Sequence, residues 1–230
     1  MKANDFGIFL HRSAYSSSSL IVTCYTLKKG LQRFIFKGGK KKAQNLFPMS
    51  HVELTFYGRN PELLNLTNVE SVTPQSFQFH PVRSSIAFFM AEVIHKCVHE
   101  GDNDPDLFHF FSKYSNALNN QESLQVFPVK FLIDLSEKLG FKPLNEINDA
   151  HVFNLDAGVF QHTHSSLERT FSGDGVQLII ELLDKNAMDK VPVKQTRAEA
   201  LTVYLNYFSI HSPRFQKLES YEILKEVLNA

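Results

Sequence analysis

The chain has 230 residues, and its 24 Lys+Arg against 24 Asp+Glu give a formal net charge of zero, with 43% hydrophobic and 21% charged residues. Such a composition belongs to an ordinary globular protein, and at about 150 residues per domain it leaves one large domain or two small ones open. Two cysteines, Cys24 and Cys97, exclude a disulfide framework and lie outside any CxxC pair. The first residues, MKANDFGIFLHRSAYSSSSLIV, contain no uncharged apolar run of signal-peptide or membrane-spanning length. A cytoplasmic protein with no membrane association is expected.

The zero net charge conceals an asymmetry about His80-Pro81. Residues 1–80 hold ten Lys/Arg against four acids, a net +6, and residues 81–230 carry the compensating −6. Opposite halves of this kind suggest a basic module for a polyanion joined to a module that does not bind one. Seven of the ten cations fall between Lys28 and Lys42, in LKKGLQRFIFKGGKKK.

In chain order, Asp5 to His11 (DFGIFLH) is the first predicted strand. Leu20 to Leu27 (LIVTCYTL) is β-branched and apolar, Lys28-Lys29-Gly30 forms a turn, and Leu31 to Lys37 alternates. That makes a β-hairpin with cations at its tip and along it. Gly38-Gly39 then breaks the strand and opens a flexible loop bearing Lys40, Lys41 and Lys42, suited to lying along a phosphate chain. Further strands are predicted at His51 to Tyr57 and Leu63 to Val72. Five strands in about eighty residues indicate a small closed barrel, for which the OB-fold fits best and an SH3-like barrel competes. Phe34, Phe36, Phe56 and Tyr57 are candidate base-stacking platforms, although most aromatics in so small a domain must be core.

After Pro81 the periodicity becomes helical. Ile86, Phe89, Met90, Val93 and Cys97 lie on one stripe, as do Phe131, Leu132, Leu135 and Leu139, which stop at Gly140. Ala198, Leu201, Leu205 and Phe208 form another, with Thr196 and Glu199 at capping-box spacing and a start near Arg197. Leu107 to Leu118, Val176 to Leu183 and Tyr221 to Leu228 complete an expectation of five to seven helices.

Residues 145–172 lack clear periodicity and contain His151, Asp156, His162 and His164. Three imidazoles and a carboxylate could serve a zinc or hydrolase site, but the spacing matches no metal motif, and short strands with histidines in their loops would give the same pattern. Ser16 to Ser19 has no nucleophile-elbow pattern, and Gly173-Asp174-Gly175 is too short to cradle phosphate.

Four blocks in order, GIFLHRSAYSSSSLIVTCYTLKKGLQRFIFKGGKKK, AFFMAEVIHKCVHE, VKFLIDLSEKLGFKP and LNYFSIHSPRFQKLESYEILKEVL, resemble the bacterial recombination-mediator family RecO, in particular its cysteine-poor, Bacteroidetes-like type. The resemblance spans nearly the whole chain. It implies an α+β protein of two domains: a five-stranded OB-fold barrel over 1–80 that binds nucleic acid, then an all-α helical domain over 81–230. It also implies a non-enzymatic role in DNA repair, without catalytic residue or cofactor. The implied activities are binding of single- and double-stranded DNA, annealing of complementary strands, action with RecR, capture of the acidic tail of single-stranded-DNA-binding protein (SSB), and, indirectly, loading of the RecA filament.

On this resemblance and the charge pattern together, Arg12, Lys28, Lys29, Arg33, Lys37, Lys40, Lys41 and Lys42 are the expected phosphate ligands. Lys130, with Lys113 second, is the positional match for the cation beside the family's SSB-tail pocket. Many members carry a four-cysteine zinc site where this chain reads KPLNEINDAHVFNLDAGVFQ, so no metal is carried over and residues 145–172 replace that region. Tyr15-Ser16-Ser17-Ser18-Ser19 also lacks the acidic residue frequent in the family's corresponding block. Two readings from other classes remain: a protein-interaction adaptor with a peptide-binding barrel, and a metal-dependent hydrolase built on the histidines.

Overall fold

The computed structural model describes residues 2–43, 45–58, 62–72, 76–101, 103–184, 192–215 and 217–229. Its two compact units are Met1–Glu122 with Leu218–Leu224, and Ser123–Lys217 with Lys225–Ala230.

The first unit is built on a closed barrel of β1 (Ala3–Ala14), β2 (Leu20–Thr26), β3 (Gly30–Phe36), β4 (His51–Tyr57) and β5 (Leu64–Ser71), in the order β1-β2-β3-β5-β4. β1 is long enough to pair with two neighbours. Ala3 to Ile8 pair with β4, Gly7 to Ala14 pair with β2, and a bulge between Phe9 and His11 turns the strand from one to the other. A short parallel pairing of Phe34–Phe36 with Leu64–Leu66 closes the barrel. Alternation along β4 sends Val52, Leu54 and Phe56 inward, where they meet Phe9, Val22, Cys24, Phe34, Phe36, Leu64 and Leu66. Closure covers the strand edges over this stretch, and an isolated bridge from Leu31 to Glu100 lies on the part of β3 before it.

Two helices pack on this barrel: α2 (Pro81–Cys97) and α3 (Pro105–Asn120). Both begin with proline in the first turn, where its missing N–H has no partner to lose. Asp104 caps α3 by accepting from the Asp106 and Leu107 amides at 2.8 and 3.3 Å. α3 is fixed to the barrel by Ser115, which donates to the Met49 carbonyl at 2.6 Å, by Tyr25 edge-on to Phe111, and by the Tyr25 hydroxyl on the Asp104 carbonyl. These contacts place α3 with the barrel, and α2 packs against β1, so the compact unit extends to Glu122, past the change of pattern at His80-Pro81.

The second unit contains α4 (Phe127–Lys138), α5 (Asp174–Leu183), α6 (Lys194–His211) and a small antiparallel sheet of β6 (Val152–Asn154), β7 (Val159–Gln161) and β8 (Thr170–Ser172), ordered β7-β6-β8. That sheet is what the aperiodic stretch 145–172 becomes, so the helical region is not wholly α. Buried Ser136 of α4 and Tyr204 of α6 share a hydrogen bond of 2.9 Å. Thr196 lies inside the first turn of α6 rather than capping it, because the helix starts at Lys194, and Glu199 accepts from Gln195 instead.

The last helix, α7 (Glu219–Asn229), starts on the first unit. Glu92 of α2 accepts from the amides of Glu219 and Ser220 at 3.0 and 2.8 Å and from the Ser220 hydroxyl, and pairs with Lys96 at 2.8 Å. A carboxylate on the first amides of a helix satisfies orphan donors and complements the helix dipole. Burial alone would raise this carboxyl, but the hydrogen bonds from Lys96, Ser220 and Glu219 outweigh it and hold Glu92 below its ordinary value of 4.5. Since the folded value is depressed, the stabilisation is complete above the ordinary value and is lost as pH falls through the lower, folded one. Glu92→Ala is expected to destabilise the first unit by about 1–2 kcal/mol at pH 7. In thermal unfolding, the gap between wild type and variant should narrow as pH drops below 4.5.

Candidate nucleic-acid interface

β3 separates the cations of residues 28–42 into two groups. At its start the hairpin tip carries Lys28 and Lys29, both exposed. The tip is held against β1: buried Asp5 accepts the Lys28 amide at 3.1 Å, the Leu27 amide donates to the Phe6 carbonyl, and the Lys28 ammonium rests on the Asn4 carbonyl at 3.1 Å. At its end Lys37 precedes α1 (Gly39–Lys42), a single helical turn in which Lys40, Lys41 and Lys42 are all exposed. Seven strand residues at about 3.3 Å each set the two groups roughly 20 Å apart.

The lysine turn is thus not the flexible loop expected from its glycines. Gly38 adopts a left-handed conformation (φ 67°), and a Cβ on Gly39 would come within 2.7 Å of the Phe36 ring, so the pair lets the chain turn tightly over the buried phenylalanine. The Ala43 amide closes the turn on the Gly39 carbonyl at 2.8 Å, and the Lys40 amide reaches the Ser18 carbonyl at 3.4 Å. Lys42 lies over the Phe36 ring, its ammonium 5.8 Å from the centroid. From β1, the Arg12 guanidinium donates to the Ala43 carbonyl.

The expected phosphate ligands therefore differ in what they already hold. Arg12 is a tether of the turn. Arg33 forms a two-pronged ion pair with Glu100, Nε to Oε1 at 2.8 Å and Nη2 to Oε2 at 3.2 Å. Among the described residues, no carboxylate lies within ion-pair distance of Lys28, Lys29, Lys37, Lys40, Lys41 or Lys42.

Of the four candidate stacking aromatics, Phe34, Phe36 and Phe56 are core, at most 3% exposed, and only Tyr57 faces solvent. Inward alternation on β3 and β4 explains this, because the phenylalanines occupy the positions that fill the barrel. Tyr15 emerges instead. It is 60% exposed and opens the serine loop whose Ser18 carbonyl receives the lysine turn. Its place next to a run of small polar residues was the available sequence signal. Behind the turn lies a groove of about 760 Å³ lined by Arg12, Asn45, Phe47, Phe88, Lys96 and Ile223 among others. His11 and His95 stack there at 6.0 Å, and partial burial lowers both below the ordinary histidine value, so neither adds charge to the surface near neutral pH.

Lys113 is exposed on α3 in the first unit, whereas Lys130 on α4 in the second is ion-paired to Asp134 at 2.6 Å. The structure does not gather them into one unit. The histidine-rich stretch also offers no donor set for a metal. Asp156 holds Arg169 through side chain and backbone, His164 contacts the Thr170 and Ser172 hydroxyls at 2.8 and 3.1 Å, and His151 and His162 lie ring to ring at 6.1 Å. Among the described residues no three His, Cys, Asp or Glu side chains converge.

A closed five-stranded barrel with this strand order, followed by helices, defines an OB-fold protein with a helical C-terminal region. The Recombination protein O N-terminal model matches residues 1–75, and the corresponding C-terminal model matches 78–218. DNA repair protein RecO of Christiangramia forsetii is 30% identical over 96% of both chains, and those of Flavobacterium psychrophilum and Bacteroides fragilis are 26% and 27% identical over the full length of each. The chain belongs to the RecO family of DNA repair proteins. Among the described residues, no helix is long and apolar enough to cross a membrane.

The different attachments of these cations separate stability from charge. Arg12→Ala is expected to destabilise the first unit by about 1 kcal/mol, by removing the charged donor from the Ala43 carbonyl and leaving it only the Leu46 amide at 3.3 Å. The Lys40/Lys41/Lys42 triple alanine variant should stay within about 0.5 kcal/mol per site of wild type. Denaturant unfolding of both variants checks the contrast.

Proposed function

We propose that this chain is a non-enzymatic recombination mediator that binds single- and double-stranded DNA through residues 1–80 and anneals complementary strands. With RecR it helps load RecA on DNA coated with SSB. The observation that carries the DNA-binding part is the set of six exposed lysines at the two ends of β3, none ion-paired to a carboxylate among the described residues. Uncompensated ammonium groups on a fixed frame attract phosphates and release counterions without reading bases. Annealing requires little more: a surface that screens two backbones while leaving the bases free to pair.

RecR, SSB and RecA as partners, and a place at the nucleoid, rest on family membership. For the SSB tail, Lys130 and Lys113 are the proposed cations. Lys130 would have to exchange Asp134 for an acid of the tail. A peptide-binding adaptor remains the alternative, and it has no use for unpaired lysines flanking β3.

Fluorescence anisotropy with a labelled single-stranded oligonucleotide across a salt series tests the reading. With four to six phosphates engaged, log affinity should fall against log salt with a slope of about −3 to −4, and the Lys40/Lys41/Lys42 triple alanine variant should flatten it by about 2. Tyr15→Ala should weaken single-strand binding by about 1–3 kcal/mol and duplex binding much less, because only unstacked bases reach an aromatic face. Absence of binding at low salt would favour the adaptor.

A further inference from the structure

Arg33 lies midway along β3, about 10 Å from either lysine group at roughly 3.3 Å per residue. A strand of phosphates running from the hairpin tip to the lysine turn would pass over it, yet its guanidinium is occupied by Glu100. The two prongs of that pair, at 2.8 and 3.2 Å, are the geometry in which a guanidinium binds either a carboxylate or a phosphate. Glu100 is held there by backbone. It bridges to Leu31 alongside β3, and the following Gly101 amide donates to the Leu31 carbonyl at 3.4 Å.

The pair is not a buried structural one, since its side chains are 44% and 43% exposed, and exposed pairs contribute little to stability. Beside it a cleft of about 390 Å³ is lined by Lys28, Lys29, Gln32, Glu62, Glu100 and Asn103, so Glu100 also faces the lysines of the hairpin tip. The effect is an interruption of the cationic path at its midpoint.

We propose that Glu100 is an internal competitor for Arg33. Its carboxylate takes the place of a DNA phosphate, and its displacement joins the two lysine groups into one phosphate-binding track. This inference rests on the DNA-binding role of the barrel proposed above. Glu100 thereby sets affinity and salt dependence: it lowers the grip on DNA in the resting protein and leaves Arg33 as the last contact to form.

The test is the same anisotropy titration on the full-length chain, with Glu100→Gln, Glu100→Ala, Arg33→Ala/Glu100→Gln, the Lys40/Lys41/Lys42 triple alanine variant, and Glu53→Gln as a control for net charge on another exposed strand position. Both Glu100 variants should bind single strands about threefold or more tighter at low salt, with a slope steeper by about 0.7, the value for one further phosphate. The double variant should return to the wild-type slope, and Glu53→Gln should change the affinity less than either Glu100 variant. If the triple alanine variant loses affinity while the Glu100 variants match wild type or bind more weakly, Glu100 is a structural partner of Arg33 and the inference falls alone. An equal gain from Glu53→Gln would overturn it too, by reducing the effect to overall charge. If the triple alanine variant binds as wild type does, the DNA-binding reading of the barrel falls, and the inference with it.

Discussion

Arg12 reaches from β1 to the carbonyl of Ala43, and much of the proposed surface depends on that contact. Three consecutive lysines repel one another, and a single helical turn has too few internal hydrogen bonds to persist alone. The turn survives because its glycines let it lie on Phe36 and because Arg12 holds its far end. The bulge at Phe9 to His11, immediately before Arg12, swings β1 from β4 to β2. Barrel closure and presentation of charge therefore share one stretch of β1.

The same constraint sorts the cations. Both arginines are already engaged, Arg12 with a carbonyl that fixes the turn and Arg33 with a carboxylate in an exposed pair. The unpaired ones are lysines, whose flexible point charges accept a phosphate from many directions. Engaged arginines and solvent-facing lysines are the division that the proposed binding calls for, a grip on a backbone that can be released. Annealing would fail on a surface that locked each phosphate in place.

Much of this was legible in the sequence, for physical reasons. The β-branched run of β2 and the alternation of β4 gave the barrel, and the i, i+3, i+4, i+7 stripe from Ile86 gave α2. The clustering of charge in LKKGLQRFIFKGGKKK marked the stretch that carries the six exposed lysines. What stayed hidden depended on tertiary partners. Gly38-Gly39 looks like a flexible break, and only the Phe36 ring beneath shows why glycine is needed. Phe34 and Phe36 alternate with Arg33, and which face turns inward is decided by barrel closure rather than by local pattern. The Arg33–Glu100 pair joins residues 67 positions apart, and the cap of α7 by Glu92 joins residues still farther apart, so no spacing rule could find either. Residues 152–172 gave no period because strands of three residues are too short to establish one.

The central claim is that DNA phosphates lie on the lysines flanking β3. Lysine-acetylation footprinting read by mass spectrometry tests it most directly, by comparing each lysine's reactivity in the free protein and with saturating single-stranded DNA. The account predicts protection of Lys28, Lys29, Lys37, Lys40, Lys41 and Lys42, with Lys138 and Lys142 of the second unit unchanged. Protection confined to the second unit, or equal reactivity at every lysine despite bound DNA, would contradict it.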